Sequence, residues 1–333
     1  MKQNVTGTVL VTGGTGFVGS HLVELLIARG YDVVCLVRDL QRLRWLQGLK
    51  VRLVRGDCQD QASLAAAVMN AAMVFHVAGL TKAFRARDYY EVNHIGTRNL
   101  LEACARYNPG LRKFILVSSL AAAGPAVDGR PVRDSDLPRP VSDYGRSKLL
   151  GESETLRFRE RFPIVILRPA AVYGPRDTDV FELFKWASKG LILDIRGGER
   201  FLNWCYVDDL VEALLLAGER SVPSGSRYFV AEDRVYSTTE FHQALQRTGS
   251  VSAKVVKVPI WIGYAIGAVS EAAGAVRGTA TIMSRQKVRE AVQQYWTCDL
   301  GRTRDDLGFS AGVPLEQGLE RTWKWYRDNN WVR

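Results

Sequence analysis

The run Thr12-Gly13-Gly14-Thr15-Gly16-Phe17-Val18-Gly19 constrains this chain more than any other stretch. It follows the apolar segment Thr8-Val9-Leu10-Val11, which reads as a short buried strand. It precedes Ser20–Arg29, where Leu22, Leu25 and Leu26 recur at helical spacing. Strand, glycine turn and helix in that order give each glycine a separate task. Gly13 permits the tight turn, Gly16 lets a pyrophosphate approach the backbone, and Gly19 lets the helix pack closely on the strand. The helix N-terminus offers free N–H groups and the positive end of its dipole to phosphates. Gly13, Thr15, Gly16, Phe17, Val18 and Gly19 are therefore expected to line a dinucleotide. No Gly-Lys-Ser/Thr follows, which excludes a P-loop.

Beyond this turn the first half alternates strand and helix signals. Strands are expected at Asp32–Val37, Val51–Arg55, Ala72–Val77, Lys113–Val117 and Ile164–Leu167, and helices at Ala62–Met69, Asp88–Tyr107 and Asp143–Arg161. Nearly continuous Val/Ile/Leu strands separated by helices imply a parallel sheet covered on both faces. The expected fold is α/β: a doubly wound parallel Rossmann sheet with a smaller, interleaved C-terminal α+β substrate domain. Residues 1–172 form the dinucleotide-binding domain, to which 202–230 return, and 173–201 with 231–333 form the substrate-binding domain. One clear helix, Asp208–Gly218, lies in the returning piece.

Composition narrows the class. At 333 residues, 47% hydrophobic and 24% charged, the chain is ordinary for a soluble globular protein. Its net charge of +10 is spread along the chain rather than collected in one basic run, so no nucleic-acid partner is expected. Five cysteines, Cys35, Cys58, Cys104, Cys205 and Cys298, have no metal-ligand spacing and read as buried thiols. No secretory leader is read at the N-terminus, and the protein is expected in the cytoplasm. The apolar stretch 258–276 is too short for a spanning helix, which needs ~20 apolar residues. It is expected to be a buried helix of the second domain, with Gly263 and Gly267 permitting close packing; a membrane-dipping or substrate-entrance helix is the other reading.

The end of the second strand selects the dinucleotide. An acidic residue there holds the ribose hydroxyls of NAD and repels a 2′-phosphate. This strand ends Val37-Arg38-Asp39: Val37 makes no such bond, and the Arg38 fork suits a 2′-phosphate. NADP is the preferred cofactor, with NAD the alternative if Asp39 swings onto the ribose. Asp57, beside Cys58, is placed either to meet the adenine amino group or to cap the helix near Ala62. Val77, Ala78 and Gly79 are expected to let the cofactor's second half lie over the backbone. His76 is read as a structural histidine.

The chemistry points to Tyr144-Gly145-Arg146-Ser147-Lys148, where tyrosine and lysine share one helix face at i and i+4. Tyrosine is a poor acid–base group at its ordinary pKa of ~10. Moving it to neutrality takes about 4 kcal/mol, which the Lys148 ammonium and an oxidised nicotinamide are expected to supply. Ser119, just past the fifth strand, is placed to orient a substrate oxygen. Asn93 is placed to hold a water that feeds protons to Lys148. Lys82, Leu120, Arg176 and Arg200 are candidate substrate contacts, the cations for a phosphate or carboxylate.

Taken together, the glycine turn, Gly56-Asp57, His76-Val77-Ala78-Gly79, Asn93, Ser119, Tyr144/Lys148, Arg168–Pro175 and Tyr206-Val207-Asp208-Asp209-Leu210 come in the order seen in extended short-chain dehydrogenases/reductases, the NAD-dependent epimerase/dehydratase family. The chain resembles that family over nearly its whole length. The resemblance implies a Ser-Tyr-Lys centre of Ser119, Tyr144 and Lys148 supported by Asn93. It places Pro169 and Val172 against the nicotinamide, makes Asp208 structural, and implies a homodimer. Within the family, Ser119 is followed by Leu120-Ala121-Ala122-Ala123-Gly124. No side chain there serves as a second acid or base, which argues against sugar dehydration. The run is more similar to the ketone-reducing, hydroxysteroid-dehydrogenase-like branches. The expected function is an oxidoreductase that moves a hydride between the nicotinamide and a secondary alcohol or ketone carbon of a fairly apolar small molecule. A nucleotide-sugar 4-epimerase with retained NAD is the second reading, and a non-catalytic NADP-binding subunit the third.

Overall fold

The computed structural model describes residues 7–277 and 284–332, with the backbone alone at 273–277. In chain order the first half gives β1 (Thr8–Thr12), α1 (Phe17–Ala28), β2 (Asp32–Val37), β3 (Arg52–Arg55), a single helical turn α2 (Ala65–Val68), and β4 (Met73–His76). A long helical rod follows, made of α3 (Ala86–Tyr89), a π-helical turn at Tyr90–Ile95, and α4 (Gly96–Tyr107). Then come β5 (Lys113–Val117), the short α5 (Leu120–Ala123), α6 (Asp143–Leu156) and β6 (Ile164–Pro169). The helix expected at Ala62–Met69 is broken into a 3-10 turn at Gln61–Ser63 and α2. The one expected over Asp143–Arg161 stops at Leu156.

The second half gives β7 (Ala171–Tyr173), α7 (Phe181–Ala187), β8 (Leu191–Ile195), β9 (Phe201–Tyr206), α8 (Val207–Glu219), β10 (Ser226–Val230) and β11 (Val235–Ser237). It ends with α9 (Thr238–Gly249), β12 (Lys254–Val258), α10 (Ile260–Arg277), α11 (Arg285–Ala291), β13 (Tyr295–Trp296), α12 (Gly301–Leu307) and α13 (Leu315–Asp328).

Seven strands form one parallel sheet in the order β10-β6-β5-β4-β1-β2-β3. Alternate residues of β1 enter opposite cores. Val9 and Val11 join Leu22, Leu26, Leu210 and Leu214 on one face; Leu10 joins Leu64, Val68, Leu100 and Leu101 on the other. Covering both faces is what makes these strands read as unbroken apolar runs. The strand order reverses between β1 and β4, and the crevice outside their carboxyl ends is where open α/β sheets take ligands.

The chain leaves the large sheet after β6. β9 lies between β11 and β13 in a small sheet and also pairs with β7, while β12 pairs with β8. Their core is aromatic: Trp204 stacks on Phe241 at 4.2 Å, and Phe184 meets Trp323 and Tyr326 edge-on. The chain rejoins the large sheet through α8, whose Leu210 and Leu214 are buried, and β10. The buried Asp209, rather than Asp208, fixes this return: its carboxylate accepts the backbone N–H groups of Gly312 at 2.8 Å and Val313 at 3.2 Å. Asp208 is half exposed and faces His21 at 3.6 Å.

All five cysteines are free thiols and buried. The stretch 258–276 departs from its expected burial. It does form a helix, and Gly267 faces the start of α11, with an added Cβ 2.8 Å from the Arg285 nitrogen. Its other face is at the surface, with Trp261 and Val269 each 70% exposed. Among the described residues no helix is long and apolar enough to cross a membrane.

Candidate active site

The glycine turn sits at the β1/β4 crevice and is held by contacts only glycine allows. Gly13 has φ +75°, and a Cβ there would lie 2.6 Å from the Ala78 nitrogen. A Cβ at Gly19 would strike the Gly13 carbonyl, so the close approach at Gly19 is to the loop itself rather than to the strand. Phe17 and Val18 turn partly into the aromatic core, leaving their backbone N–H groups in the first turn of α1. Thr15 is half-buried in the same turn. These residues fit a pyrophosphate.

Behind the turn runs a fully directed chain of hydrogen bonds. The Ala78 N–H donates to Thr12 Oγ1 at 3.2 Å, and Thr12 Oγ1 lies 2.7 Å from His76 Nδ1. His76 Nε2–H then donates to Thr97 Oγ1 at 3.0 Å, and Thr97 donates to the Asn93 carbonyl at 2.7 Å. The Asn93 carbonyl can only accept, which puts the His76 proton on Nε2 and leaves Nδ1 of the neutral ring to accept from Thr12. Burial holds His76 neutral, at a pKa of about 3. Its role is structural, tying the loop at Val77-Ala78-Gly79 to the π-helical turn.

Asn93 lies in that π turn, and both donors of its amide are spent. It accepts from the Leu80 N–H at 2.7 Å and donates to the Leu80 carbonyl at 3.1 Å and Ser147 Oγ at 2.9 Å. The water-holding role expected for it gives way to a clamp that shapes the loop after Gly79 and locks it to α6. Gly79 is exposed beside both groups: a Cβ there would lie 3.1 Å from Lys148 Nζ and 3.2 Å from Asn93 Oδ1.

At the end of β2, Arg38 is exposed and pairs with no acid among the described residues, while Asp39 is committed elsewhere. The Asp39 carboxylate accepts the Gln41 N–H at 2.9 Å and faces Arg42 Nε at 3.4 Å. Asp57 does not cap the following helical turn. Asp60 does, accepting from the Ala62 N–H, while Asp57 accepts only from the Gln59 N–H at 3.0 Å. The Cys58 thiol points into the core beneath α2 and α4, and burial raises it to about 12, so a nucleotide would meet only its backbone.

Ser119, Tyr144 and Lys148 meet at the carboxyl edge of β5. Ser119 N-caps α5, accepting from the Ala121 N–H at 3.1 Å. A Cβ at Gly145 would strike the Ala121 carbonyl, so this glycine lets α5 lie flat on α6. Tyr144 is half-buried, with Tyr89 against it at 6.0 Å. The protein's own groups push its phenol up to about 12: burial dominates, and the Ser119 side chain and the Lys287 ammonium oppose it. The downward shift expected from sequence is therefore absent from the protein alone, and Tyr144 keeps its proton. Lys148 is buried and donates to the Val117 carbonyl at 2.7 Å. Burial lowers it to about 8, against the raising influence of Glu152.

Lys287 is a residue the sequence did not reveal. Its ammonium lies 5.5 Å from the Tyr144 ring centroid and 3.0 Å from Glu290 Oε2. Glu290 accepts from Ser142 Oγ at 2.5 Å, and Ser142 N-caps α6 through the Gly145 N–H at 3.0 Å. Gln286 adds two bonds to Asp143, at 2.6 and 2.7 Å. Helix α11, far along the chain, is thus fastened onto the first turn of α6. No local pattern announces such a pairing.

The candidate substrate contacts fare differently from expectation. Leu120 is 3% exposed and packs with Ala123, Val132 and Phe229, so it is core. Lys82 pairs with Asp179. Arg200 pairs with Asp194 and donates to the Ile195 carbonyl at 2.6 Å. Arg176 pairs with Glu24 at 2.7 Å, donates to Ser20 Oγ at 3.0 Å and lies over Trp45. Each cation is spent inside the protein. Pro169 ends β6 buried, and Val172, half-buried in β7, follows it at the same edge.

A model of the NAD dependent epimerase/dehydratase family matches residues 9–231. The chain is similar to a ceramide reductase of Caulobacter vibrioides, 28% identical, covering 100% of this chain and 98% of that protein. It is also similar to the decarboxylating sterol-4-alpha-carboxylate 3-dehydrogenase of Homo sapiens, 26% identical, covering 98% of this chain and 90% of that protein. Among solved structures, MoeE5 in complex with UDP-glucose and NAD superposes with a TM-score of 0.79 at 26% identity, covering 97% of this chain and 100% of that one.

Proposed function

The chain belongs to the NAD dependent epimerase/dehydratase family, and from that premise we propose that it interconverts an apolar ketone and its secondary alcohol, with NADP(H) the preferred cofactor. One observation carries the choice of branch. The cations that would hold a nucleotide diphosphate, Lys82, Arg176 and Arg200, are paired with Asp179, Glu24 and Asp194. The turn after Ser119 carries only Leu120 and alanines. The ceramide reductase and the sterol dehydrogenase, both named for lipid substrates, support the same reading.

When bound, the cofactor supplies or accepts the hydride, and its oxidised ring adds a positive charge near the phenol. Residues 13–19 would hold its pyrophosphate, Asp57 its adenine, and Lys148 its nicotinamide ribose. Ser119 orients the substrate oxygen. Tyr144, protonated at neutral pH, gives that oxygen its proton during reduction and takes it back during oxidation. Lys148 stabilises the tyrosinate left behind.

The preference for NADP(H) rests on Arg38. A charge-assisted hydrogen bond is worth roughly 1.5–3 kcal/mol. Arg38→Ala is therefore expected to weaken NADPH about 10- to 100-fold and leave NADH unchanged, read by isothermal calorimetry. Equal loss for both cofactors would place Arg38 outside the 2′-phosphate site. NAD that copurifies with the protein, together with turnover of UDP-sugars, would favour the epimerase reading.

Lys148 sets a pH limb. With its folded pKa lowered to about 8, kcat/KM for ketone reduction is expected to be flat below that pH and to fall above it as the ammonium loses its proton. A limb near pH 10 instead would assign the titration to another group. The sign for stability is opposite. An unfolded lysine keeps its proton to pH ~10.4, so the buried ammonium opposes folding below about pH 8. That cost disappears as pH rises between the two values.

A further inference from the structure

We propose that the apolar face of α10 docks this protein onto an anionic lipid surface. From Val258 to Ser270 the chain carries no charged residue. Trp261, Ala265, Ala268, Val269 and Ala272 recur at helical spacing and are all exposed, Trp261 and Val269 at 70%. Ile260 and Ile266 flank them at 38% and 41%. The opposite face, with Gly263 and Gly267, is taken by α11. A contiguous apolar face on a surface helix needs a partner. Among the described residues no helix is long and apolar enough to cross a bilayer, so this face would lie along the interface rather than span it.

The charges around it select the partner. Lys254 and Lys257 are exposed on the strand that leads directly into α10. Arg196 is exposed where its N–H reaches the Val258 carbonyl at 2.8 Å, and Lys189 is exposed beside Gly190, whose carbonyl accepts from Lys254 at 2.9 Å. The nearby acids do not neutralise them: Glu182, Asp194 and Glu271 pair with Lys185, Arg200 and Arg285. A Trp-anchored apolar stripe that adjoins exposed Lys257 and Arg196, neither of which forms an ion pair among the described residues, matches an anionic headgroup layer.

The face lies one helix from the reacting centre. Gly267 meets the start of α11, and α11 places Lys287 over Tyr144. Docking there would bring Tyr144 within one helix of the lipid that dissolves an apolar ketone, an inference that rests on the substrate reading above.

Vesicle flotation of the full chain tests this without any substrate. With phosphatidylcholine vesicles containing about a quarter phosphatidylglycerol, wild type is expected to float, and raising NaCl from about 0.05 to 0.5 M is expected to release it. Trp261→Glu/Val269→Glu is expected to bind at least about 10-fold more weakly, and Arg196→Ala/Lys257→Ala to lose the preference for these vesicles over vesicles of phosphatidylcholine alone. Unchanged NADPH binding in each variant shows that it is folded. Wild type that stays at the bottom with both vesicle types overturns the proposal, as does flotation equal to that of the Glu variant. So does light scattering that shows the Glu variant converting a dimer to a monomer, since the face would then cover a second copy. A carbonyl panel assayed in detergent tests the ketoreductase reading separately, so either can fail alone.

Discussion

Tyr144→Phe is expected to lower kcat for ketone reduction by about 10³-fold, with NADPH affinity held within about 2- to 3-fold. General acid–base catalysis by one positioned side chain is worth ~10²–10⁴-fold, and 10³ corresponds to about 4 kcal/mol of barrier. The substitution removes only the hydroxyl. The ring that packs on Tyr89 and lies under Lys287 remains, as does the Lys148 bond to the Val117 carbonyl. Steady-state kinetics beside calorimetric NADPH titration separates the outcomes. A fall in kcat with intact binding assigns the proton to Tyr144. Parallel loss of binding makes the residue structural and returns the question of the acid to Lys148 or Ser119.

Arg168→Leu is expected to destabilise the fold by about 3–5 kcal/mol, the usual cost of leaving one partner of a buried ion pair uncompensated. Arg168 and Glu152 are each 1% exposed and joined by two hydrogen bonds of 2.9 and 2.6 Å. Glu152 also accepts from Ser118 Oγ at 2.5 Å. The pair therefore binds β6 to α6 one turn beyond Lys148 and holds the residue before Ser119. Urea unfolding followed by fluorescence and by far-UV circular dichroism is the measurement, with the midpoint expected to fall at unchanged slope. Arg168→Leu/Glu152→Leu is expected to recover much of the loss, because two apolar residues do not require each other's charge. A single variant as stable as wild type would mean that water reaches the pair.

How much of this was legible beforehand differs by residue. The β1–turn–α1 unit was readable because each of its demands is local: a positive φ at Gly13, apolar periodicity in α1, and glycines where backbones touch. The positions of Tyr144, Lys148 and Ser119, though not their roles, were readable for a related reason. An i, i+4 pair shares a helix face whatever surrounds it, and a residue just past a parallel strand lies at the sheet's carboxyl edge. His76 as a structural histidine was likewise correct, since it ends a strand buried on both faces.

The partners of long polar side chains were not readable. Lys82, Arg176 and Arg200 looked like free cations in the sequence, but Asp179, Glu24 and Asp194 reach them only once the loops are folded. Asn93 looked available for water until the π turn aimed its amide at the Leu80 backbone. The direction of the Tyr144 shift depended on how much of the phenol is desolvated, which no spacing records. Lys287 and the exposed face of α10 depended on which side of a helix another helix happens to cover. By itself the sequence determined what backbone geometry and periodicity dictate: the sheet, its glycine turn and the helix that carries Tyr144 and Lys148. The tertiary structure alone decided which charges are spent and which remain, because ion pairing and burial are set by distances between segments remote in the chain.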